Sequence, residues 1–314
     1  DQERVKGKRM SESAKVIEGV IVPLLTPVDE NERVDGPALR ALIHHCLEAG
    51  VNGLFVGGSA GMGPLLTDDQ WVRLIEIARD EVGDSFPLLG GAIATSTGRA
   101  IERIKILDQA GFKHVVVTPT YYITPSRDEE FMAHFDGCRQ ATDMNMIVYN
   151  IPSCIGADIP VGAIVEMVRQ GWTRTIKESS GDRDYFMAVT DGIKNTGAAV
   201  LQGNEPDIAW GLSSGARGLV PVCANYAPRL FAAAWRASQA GEEDRLNELQ
   251  AQISSVRETL LMGEKHWLAG AIYGAHTLGI GGGHVTLPIP KLTEEQQREI
   301  DSLTEKLKID DPGE

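Results

Sequence analysis

The chain has 314 residues, 42% of them hydrophobic and 24% charged, which suits one large α/β domain with appended helices or two ordinary domains. Its 30 lysines and arginines face 44 acidic residues, a formal net charge of -14 that argues against the basic face a nucleic-acid or anionic-membrane partner requires. No apolar run is long enough to cross a bilayer, and the four cysteines (Cys46, Cys138, Cys154, Cys223) lack metal-ligand spacing, so a soluble, cytoplasmic, reduced protein is expected, with each thiol a small buried side chain.

Residues 1–17 are polar, lack the apolar core of a signal peptide and read as a tail, in which Met10 is a candidate natural start and residues 1–9 are of open origin. From residue 19 short apolar runs alternate with amphipathic ones. The first run, Gly19 to Leu25, precedes a helical pattern over 38–48. The second, Gly53 to Val56, precedes a helix that Thr67-Asp68-Asp69-Gln70 opens as a capping box. Leu88 to Gly91 comes third, with a helix near 97–110, and His114 to Pro119 fourth, with a helix near 127–141. Met146 to Asn150 is fifth (helix near 161–170) and Thr173 to Glu178 sixth (helix near 183–195). Ala198 to Gly203 is seventh (helix near 205–214) and Gly218 to Val222 eighth, with a helix from about 228.

Eight such units, roughly 30 residues apart, indicate parallel β/α repeats, and runs rich in β-branched residues without clean alternation suit strands buried on both faces. A doubly wound sheet could hold eight strands, but no Gly-x-Gly-x-x-Gly turn follows the first. The expected architecture is therefore an α/β fold, a (β/α)8 TIM barrel over 18–240, followed by a C-terminal region, 241–314, of two or three extra helices. The glycines at 279–283 lack the lysine and hydroxyl residue of a phosphate loop and read as a turn.

A barrel of this kind gathers its site at the C-terminal ends of the strands. Lys177 ends the sixth run. Desolvation there lowers the pKa of an amine and makes its neutral form a nucleophile toward a ketone; the alternative is a strand-end lysine reaching solvent or pairing with Glu178. Tyr149 ends the fifth run, so adjacent strands bring both side chains into one pocket, where a phenol can shuttle protons. Ser59 lies in a glycine-rich turn after the second run, which exposes N–H groups suited to an anion, or serves turn geometry alone. The seven histidines form no metal-binding pattern.

Four segments, Val56-Gly57-Gly58-Ser59-Ala60-Gly61, Thr118-Pro119-Thr120-Tyr121-Tyr122, Val148-Tyr149-Asn150-Ile151-Pro152-Ser153 and Ile176-Lys177-Glu178-Ser179-Ser180-Gly181-Asp182, give the chain from about 18 to 308 a resemblance to the pyruvate-dependent class I aldolases, the N-acetylneuraminate lyase and dihydrodipicolinate synthase family. The resemblance implies that Lys177 forms a Schiff base with a 2-oxo acid and that Tyr149 shuttles protons. It implies a substrate-binding set of Gly58, Ser59, Ala60, Ser179, Gly203 and Glu205, with no cofactor and no metal. A third catalytic phenol, Tyr121 by the count from Pro119 or else Tyr122, reaches a neighbouring subunit in the synthases, and a homotetramer built as a dimer of dimers is implied with it. Three positions depart from the family pattern. Ala60 stands for the usual threonine and Met62 for a common glutamate. Cys154 replaces the arginine that holds the second substrate's carboxylate in dihydrodipicolinate synthases, which speaks against that activity. The expected function is a Schiff-base lyase that cleaves or forms a 4-hydroxy-2-oxo or 2-keto-3-deoxy acid. Alternatives are a dehydratase using the same imine, a dihydrodipicolinate synthase, and a non-catalytic binding or regulatory barrel.

Overall fold

The computed structural model describes residues 16–307; most of the expected tail and the last seven residues lie outside them. Eight parallel strands close a barrel in sequence order: β1 (Gly19–Pro23), β2 (Gly53–Val56), β3 (Leu88–Gly91), β4 (His114–Val117), β5 (Asn145–Asn150), β6 (Thr173–Glu178), β7 (Ala199–Gln202) and β8 (Gly218–Leu219). The crossover helices are α1 (Gly36–Glu48), α2 (Asp68–Val82), α3 (Thr97–Gln109), α4 (Asp128–Gln140), a four-residue α5 (Pro152–Ile155), α6 (Val161–Arg169), α7 (Arg183–Gly192), α8 (Ile208–Ser213) and α9 (Pro228–Ala240). Three more follow: α10 (Glu243–Leu261), α11 (Trp267–His276) and α12 (Glu294–Leu307). Among the described residues no helix is long and apolar enough to cross a membrane.

The two-residue alternation of a strand divides the core in two. Ile21, Phe55, Leu89, Val116, Ile147, Tyr149, Leu201 and Val220 fill the barrel interior. Their chain neighbours, such as Val22, Leu54, Val115, Val148 and Val200, face the helices. Apolar side chains are needed on both faces, so the strands read as continuous hydrophobic runs. Closure is uneven. β5 and β6 pair over five registered positions, whereas β8 meets β7 at one and β1 at two. Beside this seam Asn225 supplies what the short ladder lacks: it accepts from Leu25 N at 2.9 Å and donates to Pro23 O at 2.9 Å.

Several local expectations are corrected. The capping box at Thr67 does not form: the Thr67 hydroxyl bonds the Asp69 carboxylate instead of a backbone N–H of α2, and Gln70 accepts from Val34 N at 2.8 Å. The run at 205–214 begins as a 3-10 turn, Glu205–Asp207, before α8. Cys154 is exposed, unlike the other three cysteines, because it rides on α5, an element the sequence pattern did not reveal.

Candidate active site

Tyr149 and Lys177 are register partners across β5 and β6, so both point into the barrel from neighbouring strands. Lys177 Nζ lies 3.9 Å from the Tyr149 ring centroid and 5.3 Å from that of Phe55. The residue after each, Asn150 and Glu178, is also a registered pair and must point outward. There Asn150 Nδ2 donates to Glu178 at 3.2 Å and to Asp158 at 2.8 Å, and Ser180 N donates to Glu178 at 2.6 Å. Strand geometry thus removes the pairing of Lys177 with Glu178, and the amine is buried with aromatic faces for neighbours.

That environment sets the chemistry. Burial pulls the Lys177 ammonium down to about 7, with Cys154 and Glu205 opposing part of the shift. An ammonium here would lose several kcal/mol of hydration without a close counter-ion, so near neutral pH a substantial fraction of the amine is unprotonated and nucleophilic. The Tyr149 phenol moves the other way: burial, then the neighbouring Cys154, pushes it up, while the Ser179 and Ser59 hydroxyls pull it partly back. Tyr149 therefore holds its proton beside the Lys177 amine.

A cavity of about 340 Å³ opens over this pair. Of the residues expected to bind substrate, Ser59, Ala60, Ser179, Gly203 and Glu205 line it. The N–H groups of Ser59 and Ala60 donate to no backbone carbonyl among the described residues, leaving a donor set beside the Ser59 hydroxyl. Gly58 does not line the cavity; its Cα lies against the Phe55 ring, where an added Cβ would come within 2.6 Å. Gly203 is dictated by contact as well, since a Cβ there would fall 2.0 Å from Ser179 Oγ. Ser179 Oγ is buried and closes no hydrogen bond of good geometry. Glu205 is buried, with Oε1 accepting from Cys223 N at 2.7 Å and Cys223 Sγ 3.4 Å from Oε2, and burial holds its carboxyl above the usual range. The Tyr226 hydroxyl donates to Cys223 Sγ at 3.0 Å and meets Thr259 Oγ1 of α10 at 2.5 Å.

The tyrosine pair divides. Tyr121 is half-buried and packs on the interior cluster, outside the cavity wall. Tyr122 is 89% exposed, with φ +73°, and Ile123 beside it is 73% exposed. Sequence reasoning missed the far wall: Arg257, Leu260 and Leu261 of α10, Glu264 and Trp267. No local pattern marks them, because they reach the mouth only when helices after the barrel fold back over it. Among the described residues no group of acidic, histidine and cysteine side chains could hold a metal ion.

A closed eight-stranded parallel barrel with side chains converging at the strand ends defines a TIM-barrel protein with one polar mouth. The profile of the dihydrodipicolinate synthetase family matches residues 16–307, and the chain belongs to that family of lyases. It is 27% identical over 294 residues to the 4-hydroxy-tetrahydrodipicolinate synthase of Methanosarcina mazei, covering 94% of this chain and 99% of that one. It is 29% identical over 249 residues to the enzyme of that name from Methanothermobacter thermautotrophicus, covering 78% and 88%. Among solved structures, a prophage protein of Escherichia coli K12 from the dihydrodipicolinic acid synthase family, in complex with pyruvate, superposes with a TM-score of 0.89 at 22% identity, covering 94% of this chain and 100% of that one. A Clostridium difficile protein in complex with mannosamine superposes with a TM-score of 0.86 at 19% identity, covering 93% and 99%. Both share the fold.

Proposed function

We propose that the protein is a class I lyase that captures a 2-oxo acid as an imine on Lys177 and then breaks or makes a bond at the carbon chain beyond C3. The registered Lys177–Tyr149 pair carries this reading, since it puts a largely desolvated amine and a protonated phenol at the same point. The neutral amine attacks C2 of the keto acid, giving a carbinolamine, and Tyr149 hands its proton to the departing hydroxyl so that water leaves. The protonated imine is an electron sink. Tyr149, left as the phenolate, takes the C4 hydroxyl proton of a 4-hydroxy-2-oxo acid while the imine accepts the C3–C4 pair, yielding an aldehyde and the pyruvate enamine, which regains that proton at C3. In the alternative the phenolate takes a C3 proton, the imine accepts the C3–H pair, and the C4 hydroxyl leaves as water with that proton. Hydrolysis of the imine returns the amine. Ser59, with the free N–H groups of the 57–61 turn, serves the carboxylate end. Tyr122 is a better candidate than Tyr121 for the phenol that enters a neighbouring subunit, since an exposed aromatic beside an exposed isoleucine is the surface an interface covers; the assembly proposed remains the homotetramer.

The names of the relatives favour a second reading, condensation of pyruvate with aspartate semialdehyde, as in a dihydrodipicolinate synthase. Cys154 weighs against it, because a thiol gives no bidentate charged contact to the semialdehyde carboxylate. Borohydride treatment with pyruvate tests the common step: the expected outcome is one reduced pyruvate adduct on Lys177 and none in Lys177→Ala. Absence of any adduct, or its appearance on another lysine, would defeat the assignment. Coupling pyruvate with aspartate semialdehyde on the same preparation separates the two readings, and turnover is expected to be very weak.

A further inference from the structure

The far half of the cavity holds a guanidinium that the chemistry so far leaves unused. Arg257 is half-buried on α10 and lines the cavity together with Leu260, Trp267 and Val222. Its charge reaches inward far enough to lower the carboxyl of Glu205 and the thiol of Cys223. Other arginines packed into this fold spend their donors on the protein. Arg103 donates to Ile93 O at 2.7 Å and Arg139 to Met144 O at 2.7 Å. Arg257 makes no hydrogen bond or ion pair with the described residues. A half-buried cation beside apolar walls, with its donor fork unspent, is matched in shape and charge by a carboxylate.

We propose that Arg257 binds a second carboxylate at the far end of the substrate, so that the keto acid captured on Lys177 is a dicarboxylic one. The neighbouring acids do not cancel this preference. Both oxygens of Glu205 face Cys223, and Glu264 stands exposed at the rim, where water screens it. Ser153, Asn204 and Glu264 add small polar groups to the same lining, so the preference for a carboxylate rests on the charge and fork of Arg257 among Leu260, Val222 and Trp267. Arg257 lines the cavity, whereas Cys154 on α5 is not part of its wall.

This inference rests on imine capture, and the test separates the two. Half-saturating concentrations for borohydride-trapped adducts are measured for three matched pairs of 2-oxo acids, of five, six and seven carbons, each with and without a terminal carboxylate. The wild-type protein is expected to favour the diacid by roughly tenfold or more in at least one pair. That ratio should fall toward one in Arg257→Gln and recover in part in Arg257→Lys, with the pyruvate adduct of each variant reporting a folded site. Loss of every adduct, pyruvate included, in the wild type would sink the imine reading itself. Trapping with no diacid preference in any pair, or a preference that survives Arg257→Gln, would overturn the role of Arg257 alone.

Discussion

The two halves of the cavity are built differently. The near half, Lys177, Tyr149 and the turn at Ser59, stands on barrel strands whose register fixes which side chains point inward. The far half is borrowed from the segment after β7 and from α10, elements that reach the mouth through tertiary packing. Bond-making groups need placement within a fraction of an ångström and sit on the stiffest part of the fold. Groups that distinguish one substrate from another sit where the sequence can change without disturbing the strands.

Substitutions can break that division. The largest effect is expected from Tyr149→Phe, which keeps the ring against Lys177 and Phe55 and removes the proton carrier: kcat should fall by about 10²–10⁴ with an unchanged fold by circular dichroism. An unaltered kcat would move Tyr149 from catalysis to packing. Ser59→Ala comes next. Loss of one hydrogen bond to a charged carboxylate should raise KM for pyruvate capture about tenfold, with a smaller change in kcat, because the backbone donors of the turn remain. Equal effects on capture of a 2-oxo acid and of a simple ketone would show that Ser59 does not serve the carboxylate.

The smallest effect should appear in stability. The Lys177 ammonium titrates near 10.5 in an unfolded chain and at about 7 when folded. Between those pH values the unfolded chain binds the extra proton, so this residue's contribution becomes more favourable as pH rises from about 7 and is most costly below it. Lys177→Met should therefore melt higher than the wild type, on the order of 2–4 °C for each kcal/mol gained, most clearly below pH 7 and with a shrinking margin as the solution becomes alkaline. A variant that melts lower at every pH would show that the lysine is stabilising where it sits.

Much of the near half was legible in the sequence, for a physical reason. A strand's alternation turns a position into a direction, so a lysine and a tyrosine at the ends of consecutive runs had to meet. Residues placed by loops gave weaker signals. Tyr121 was favoured over Tyr122 by counting from Pro119, yet the left-handed conformation at Tyr122 sends that side chain outward and leaves Tyr121 on the barrel. Gly58 was grouped with its neighbours in the anion turn, although its small size serves the Phe55 ring. Arg257 was illegible: on a long amphipathic helix nothing local separates an arginine aimed at a distant cavity from one aimed at water.

The uneven closure of the barrel bears on motion. Local opening of a sheet starts where fewest ladder bonds must break together, and here that is the β8 seam, with only one registered position on its β7 side, two on its β1 side and the Asn225 side chain as a rivet. The seam is separated from the five-position β5–β6 pairing by β7. Breathing there would shift Val220 and Val222, and with them the backbone group that grips Glu205, while Lys177 and Tyr149 keep their mutual register. The cavity can thus widen at its far end without loosening the end that holds Lys177 and Tyr149.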